Sequence, residues 1–278
     1  MKIMIIGNGF DLNLGFKTSY QDFLESQYFK SLVNDNNSLA LYLDRKNNLL
    51  NWVDIENEIT NYSIKIIKLQ HEEKINLTTA DIKNHFKSLK VALIQYLKEV
   101  QEQKLNEKSK AFEMIKHEIE STHKIYNFNY TNSIFQVTDL LGIDRYEIED
   151  KHTYVHGSIE NTDIIFGVED YAKISTEHIF FKKSYNINFG KSDIISNLNY
   201  KNNLILFGHS LGITDSAYFK DYIASLYIHR GYKTLKFYYC GVDGYDELMQ
   251  VLDKYTRNNI TKFKHNNQFF PIDSSANN

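Results

Sequence analysis

Short apolar runs that end in Gly, Asn or His recur along the chain: Lys2 to Ile6, Lys124 to Phe128, Thr153 to Val155, Ile164 to Phe166, Leu204 to Phe207 and Leu235 to Tyr239. They lack a clean apolar/polar alternation, so they predict buried parallel strands covered on both faces. Asp215 to Ile228 and Asp246 to Tyr255 each follow such a run after a short turn and carry helical patterns. That is the strand-helix alternation of a doubly wound sheet. Between Tyr20 and His123 no strand pattern occurs, and apolar positions such as Trp52, Ile55, Ile59, Ile66 and Leu69 suit amphipathic helices. The expected fold class is therefore α/β: a Rossmann-like, mostly parallel doubly wound sheet with a helical insertion after the first strand. The expected bounds are 1–23 and 124–270 for the core, 24–123 for the insertion and 271–278 for a flexible tail. Lys98 to Lys110, charged and rich in Gln, reads as a solvated helix face or a connection between helices.

Composition narrows the function classes. At 278 residues the chain is long enough for a core domain carrying a substantial insertion. A net charge of -3 lacks the basic footprint of a protein that wraps nucleic acid, so nucleic acid is not the default partner. The single cysteine, Cys240, excludes an internal disulfide and a cysteine-built zinc site. Met1 to Ile6 is too short an apolar run for a signal peptide, and no later run approaches the ~20 residues of a membrane span. The expectation is a soluble cytoplasmic protein in a reducing compartment, with no membrane partner and no metal.

Four clusters carry candidate chemistry. Gly7-Asn8-Gly9-Phe10-Asp11 follows the first strand and precedes a helix start, where backbone N–H groups converge on a phosphate or ribose; the plain alternative is a tight turn. It lacks the third glycine of the dinucleotide fingerprint. Gly15, Thr18, Ser19, Tyr20, Asp22 and Phe23 continue this set, with helix capping by Thr18 or Ser19 as the structural alternative. Asn127 to Asn132 ends the second run, where Asn129 either orients a water or ribose hydroxyl or closes an Asx-turn. His156-Gly157-Ser158 offers an imidazole as general base or a satisfied core histidine. Gly208-His209-Ser210-Leu211-Gly212, followed by Asp215, fits the G-x-S-x-G nucleophile elbow, which would need Asp243 or Asp246 as acid and His265 as base. That hydrolase reading leaves the first three clusters without a role.

In their order, these blocks resemble the AbiH family of bacterial abortive-infection proteins: Gly7 to Leu12, Gly15, Thr18-Ser19-Tyr20, Asp22-Phe23, Trp52 to Glu56, Asn127 to Thr131, His156-Gly157 and Gly208 to Asp215. The resemblance implies phage defence, in which an infected cell stops growing or dies before the phage spreads. A more distant likeness is to the SIR2-like (sirtuin) fold: Gly7 to Asp11 is similar to its nucleotide loop, Asn129 to its strand-end asparagine, His156-Gly157 to its catalytic pair and Gly208 to Leu211 to its Gly-Thr-Ser-Leu segment. The four-cysteine zinc module of sirtuin deacetylases is not possible here, and no arginine follows Asp22-Phe23. What remains implied is the SIR2-like defence activity, cleavage of the nicotinamide-ribose bond of NAD. On this resemblance Asn129 and His156 are catalytic, as water or ribose positioner and general base. Gly7, Asn8, Gly9, Phe10, Asp11, Thr18, Ser19, Asp22, Gly208, Ser210 and Asp215 bind the nucleotide. A permanently active enzyme of this kind would kill its host, which implies a resting state, a phage-derived trigger or regulatory protein, and a homo-oligomeric switch. The runner-up is a nucleotide-binding sensor without chemistry.

Overall fold

The structure is a computed structural model that describes residues 1–50, 54–199, 201–212 and 215–275; Trp52, named above, lies outside them. The chain runs β1 (Lys2–Ile6), α1 (Asn8–Asn13), α2 (Tyr20–Glu25), α3 (Gln27–Asn34), α4 (Ser38–Leu50), α5 (Ile55–His71), α6 (Thr79–Val100) and α7 (Lys110–Glu118). It continues through β2 (Lys124–Asn127), α8 (Ser133–Leu140), α9 (Arg145–Glu149), β3 (His152–Tyr154), β4 (Gly157–Ser158), β5 (Asp163–Ile164) and α10 (Ile194–Asn197). It closes with β6 (Asn203–Phe207), α11 (Ser216–Ile228), β7 (Thr234–Tyr239), α12 (Gly241–Tyr255), α13 (Ile260–Asn266) and β8 (Gln268–Asp273). Two compact units result, one of residues 1–16, 104–155 and 191–278, the other of 17–103 and 156–190. The helical interval expected from 24 to 123 is thus divided, with α7 in the first unit.

In the first unit, six strands among the described residues form one parallel sheet in the order β3-β2-β1-β6-β7-β8. One side of it, Ile3, Ile5, Tyr126, Leu204, Leu206, Leu235 and Phe237, shares a core with Phe219, Ile223 and Leu226 of α11, Leu248 and Leu252 of α12 and Phe263 of α13. Burying each large apolar side chain contributes about 1.5–3 kcal/mol. On the other side Phe10 packs edge-on against Phe207 at 5.7 Å, and Glu118 of α7 pairs with Lys2 and Lys236. Helices on both sides explain why the strands read as apolar runs rather than alternating ones. The strand order reverses direction at β1, which places the ligand crevice of such a sheet beyond the carboxyl ends of β1 and its neighbours. The register pairs Ile6 with both Asn127 and Phe207, so β1, β2 and β6 end in one row.

β8 corrects the expectation of a flexible tail from 271: Pro271 to Asp273 pair in the sheet, and Ser274 donates its N–H and its hydroxyl to the Tyr239 carbonyl, both at 2.7 Å. Pro271 argues against a strand on sequence grounds, but an outer strand tolerates the missing donor.

The second unit packs α2 to α6 with the segment 156–190. Asp54 caps α5, and Thr78 with Asp81 forms a capping box on α6, which the apolar row Ile82, Phe86, Leu89, Leu93, Leu97 and Val100 turns into a buried stripe. Here lies a second correction. Ile164 to Phe166 is not a strand of the parallel sheet: Asp163 and Ile164 pair antiparallel with Ser158 and Gly157 in a two-stranded hairpin. Its apolar run is buried by helices instead, Phe166 stacking on Phe86 at 5.7 Å and meeting Tyr20 at 6.1 Å. A short apolar run carries no period that tells these two environments apart.

Candidate functional site

The first unit gathers its polar side chains at the ends of β1, β2 and β6. The Gly7 to Asp11 segment is not a free loop: α1 begins at Asn8, with Gly7 in extended conformation as its N-cap. Its amides are committed, Gly7 N–H to Phe207 O at 3.0 Å, Gly9 N–H to Gly208 O at 2.9 Å and Phe10 N–H to Gly7 O at 2.8 Å. Both glycines answer to this approach, because a Cβ on Gly9 would stand 2.6 Å from Gly208 Cα and one on Gly7 2.8 Å from Gly208 O. Phe10 is fully buried core, so its assignment to nucleotide contact is corrected. Asn8 alone of this segment is exposed.

Asp11 is buried, 1% exposed, and accepts three hydrogen bonds: from Asn129 Nδ2 at 2.9 Å, Thr131 Oγ1 at 2.5 Å and Ser133 Oγ at 2.5 Å. Burial pushes its carboxyl up to about 6, against the lowering effect of those three donors. Asn129, 6% exposed, also donates to the Gly7 carbonyl at 3.1 Å, and its backbone N–H bonds to Asn127 Oδ1 at 2.9 Å. The Asx-turn at this strand end is therefore made by Asn127. Two acceptors facing one end of the Asn129 amide fix that end as the NH2 group. Its Oδ1 is left as an acceptor with no hydrogen-bond partner among the described residues.

Beyond β6, Gly208 (φ +65°) and Leu211 (φ +55°) turn the chain in the left-handed region. His209 is held on two sides: its Nδ1 accepts from Leu211 N–H at 3.0 Å, and its Nε2 lies 3.3 Å from Asp215 Oδ2 at the start of α11. Its ring meets Phe128 at 4.3 Å and Phe219 at 4.9 Å. Since Nδ1 accepts an amide, the imidazole hydrogen sits on Nε2, the nitrogen that lies 3.3 Å from Asp215. Ser210 is exposed, and its Oγ accepts from Gly212 N–H at 3.3 Å. Among the described residues no histidine bonds to it, and the acid and base considered above, Asp243 or Asp246 with His265, stand on α12 and α13 without a hydrogen bond to Ser210. The triad reading has no geometric support.

Thr18, Ser19, Asp22 and His156 belong to the second unit. Ser19 and Asp22 form the capping box of α2, with Asp22 N–H donating to Ser19 Oγ at 3.1 Å and Ser19 N–H to Asp22 Oδ2 at 3.2 Å. Their polar atoms do the local work of starting a helix. His156 is buried, 5% exposed, and its carbonyl accepts from Ile165 N–H at 2.7 Å. The glycine after it is demanded by the hairpin, since at φ +76° a Cβ on Gly157 would meet Asp163 O at 1.8 Å. In the same unit, buried Lys183 bridges Glu56 at 3.2 Å and Glu169 at 3.0 Å.

The family model described as bacteriophage abortive infection AbiH matches residues 3–238, from β1 into β7. The chain belongs to the AbiH family. No curated protein and no solved structure matches it. The AbiH match takes in every cluster built above, in both units, and ends before α12, α13 and β8. Membership places the chain among abortive-infection proteins, and the parallel sheet is Rossmann-like. Among the described residues no helix of this AbiH chain is long and apolar enough to cross a membrane.

Two residues to which the sequence assigns no role complete the candidate site. Thr131 and Ser133 stand two and four positions after Asn129, and the three alternate side chains converge on Asp11. The signal was present as hydrogen-bonding side chains at every second position after a strand. His209 was hidden inside a motif read for its serine.

Proposed function

We propose that this AbiH protein is an abortive-infection effector that binds NAD, or a related nucleotide, at the carboxyl ends of β1, β2 and β6 and hydrolyses the nicotinamide-ribose bond. The observation that carries the reading is Asn129. Both hydrogens of its Nδ2 are held by Gly7 O and Asp11, which leaves Oδ1 to accept from a water or a ribose hydroxyl. Buried Asp11 serves as a positioning residue, set by Thr131 and Ser133 and not itself in reach of a ligand.

Hydrolysis asks little of the protein. The water oxygen forms a bond to the ribose anomeric carbon, the bond to nicotinamide breaks with its electron pair leaving on the neutral base, and the water proton is released. Because nicotinamide departs from a cationic ring, holding the ribose and aligning one water supply most of the acceleration. Asn129 is suited to that alignment. His156, in the other unit, is implied as general base by the resemblance alone and is tested separately. Regulation by a phage-derived trigger and self-association belong to the same proposal.

One observation favours binding without turnover. The Asp11 carboxylate is already taken up by three donors within the chain, and so is not poised as a base for water. Purified protein incubated with NAD, with chromatography for nicotinamide and ADP-ribose, separates the two. Release of both products, lost in Asn129→Ala, supports hydrolysis; NAD binding by calorimetry without release supports the sensor. A folded His156→Ala chain that still releases nicotinamide removes His156 from the mechanism.

A further inference from the structure

The second unit holds a serine, a histidine and a tyrosine in contact, in a place unrelated to the nucleotide reading. Ser38 opens α4, His85 lies on α6 and Tyr62 on α5. Ser38 Oγ stands 2.7 Å from His85 Nδ1 and 2.6 Å from Tyr62 OH, and Ser38 N–H also points at His85 Nδ1 at 3.3 Å.

The proton positions follow from one fact. A backbone N–H only donates, so His85 Nδ1 is an unprotonated acceptor and the imidazole hydrogen is on Nε2. The Ser38 hydroxyl hydrogen then goes to Nδ1, and Tyr62 donates to the Ser38 oxygen. That is the order of an activated hydroxyl: a base on its proton and a donor on its oxygen. Burial also holds His85 below the ordinary histidine range, against the raising influence of Asp81 one turn earlier, so the ring is the neutral base at neutral pH.

Helix capping does not account for Ser38. Asn37 does that work, its Oδ1 accepting from Leu39 N–H at 3.1 Å and Ala40 N–H at 3.0 Å, while its Nδ2 donates to the His85 carbonyl at 2.9 Å. Asn37 therefore docks α4 on α6 and leaves the Ser38 hydroxyl to the imidazole. Ser38 and His85 are both half-buried, and Tyr62 is 1% exposed.

A groove begins one turn along α6 from His85. Between α3 and α6 lies a space of about 480 Å³ lined by Tyr28, Leu32, Lys87, Ser88, Val91 and Ala92, among others. α3 runs antiparallel to α6, since Tyr28 bonds to Glu99 at one end and Asn37 to His85 at the other. His85, Ser88 and Ala92 are spaced three and four apart and so share one stripe of α6, with the histidine one turn beyond the groove's lining.

We propose that Ser38, His85 and Tyr62 form a second reactive centre, a serine nucleophile that takes acyl esters whose apolar acyl part lies in the groove between α3 and α6. In the acylation step the Ser38 oxygen forms a bond to the acyl carbon, its proton passes to His85 Nδ1, and the ester's alkoxide leaves with that proton; water then reverses the sequence to free the acid. Lys87, the charged side chain of the lining, favours esters that carry a carboxylate or phosphate.

The test is a fluorophosphonate probe on the full chain, read by peptide mass spectrometry. The Ser38 oxygen displaces fluoride from phosphorus, with its proton leaving through His85. The expected result is stoichiometric modification at Ser38, absent in Ser38→Ala, unchanged in Ser210→Ala, and slowed about a hundredfold in His85→Gln. Tyr62→Phe keeps the packing and is expected to slow the reaction less. Thermal melts confirm that each variant is folded. A folded wild-type chain that is not modified at Ser38, modification only at Ser210, or a His85→Gln variant that reacts at the wild-type rate overturns the proposal.

Discussion

Gly9 and Gly208 meet backbone to backbone: the Gly9 N–H donates to the Gly208 carbonyl at 2.9 Å, and a Cβ on Gly208 would fall 2.3 Å from Phe10 N. The start of α1 and the turn after β6 are therefore locked at the point where the sheet changes direction. Gly208→Ala also strains a residue at φ +65°. We expect it to destabilise the chain by about 3 kcal/mol, seen as a lowered urea midpoint. An unchanged midpoint would show that the two backbones separate easily.

Asp11 makes stability depend on pH in a stated direction. Its carboxyl is raised in the folded chain to about 6 from 3.8, so the folded state holds a proton that the unfolded state releases. The stabilising contribution is full below the unfolded value and is lost as pH rises through about 6. A shift of this size corresponds to roughly 3 kcal/mol. Asp11→Asn, which keeps the shape and cannot ionise, is expected to remove this loss; urea melts across about pH 4 to 7 compare the slopes. Equal slopes in both chains would contradict the assignment.

The His209 tautomer is a third outcome. With Nδ1 accepting from Leu211 N–H and Nε2 facing Asp215, nitrogen-resolved NMR of the neutral ring is expected to show the hydrogen on Nε2. A hydrogen on Nδ1 would mean that the turn after β6 is built differently.

In the second unit, Lys183 is buried between Glu56 and Glu169. Lys183→Met leaves two carboxylates without their shared cation, and we expect a loss of about 3 to 5 kcal/mol in unfolding experiments. A loss below about 1 kcal/mol would mark the pair of bridges as surface-like.

Much of the parallel sheet was legible because β1, β2, β6 and β7 are apolar runs closed by Gly or Asn, and being covered on both faces leaves that mark on composition. Ile164 to Phe166 carried the same mark for a different reason, burial under α6 in a hairpin. β8 was illegible because Pro271 breaks the strand pattern and only its place at the edge rescues it. At the candidate site, the motif positions Gly7 to Asp11, Asn129 and Gly208 to Ser210 fall on one row of strand ends, but the roles within it were not legible. Gly7 and Gly9 looked like a phosphate cradle, and the structure shows them giving way to Gly208. The convergence of Asn129, Thr131 and Ser133 on Asp11 crosses 118 or more residues of sequence and depends on the pairing of β1 with β2, which no local pattern records.

Hydrogen exchange with and without NAD tests most directly whether the carboxyl ends of β1, β2 and β6 are the nucleotide site. Slower exchange is expected in peptides covering Gly7 to Asp11, Asn129 to Ser133 and Gly208 to Gly212, with the effect lost in Asn129→Ala. Exchange unchanged in those three segments at saturating NAD, or protection confined to other parts of the chain, would contradict it.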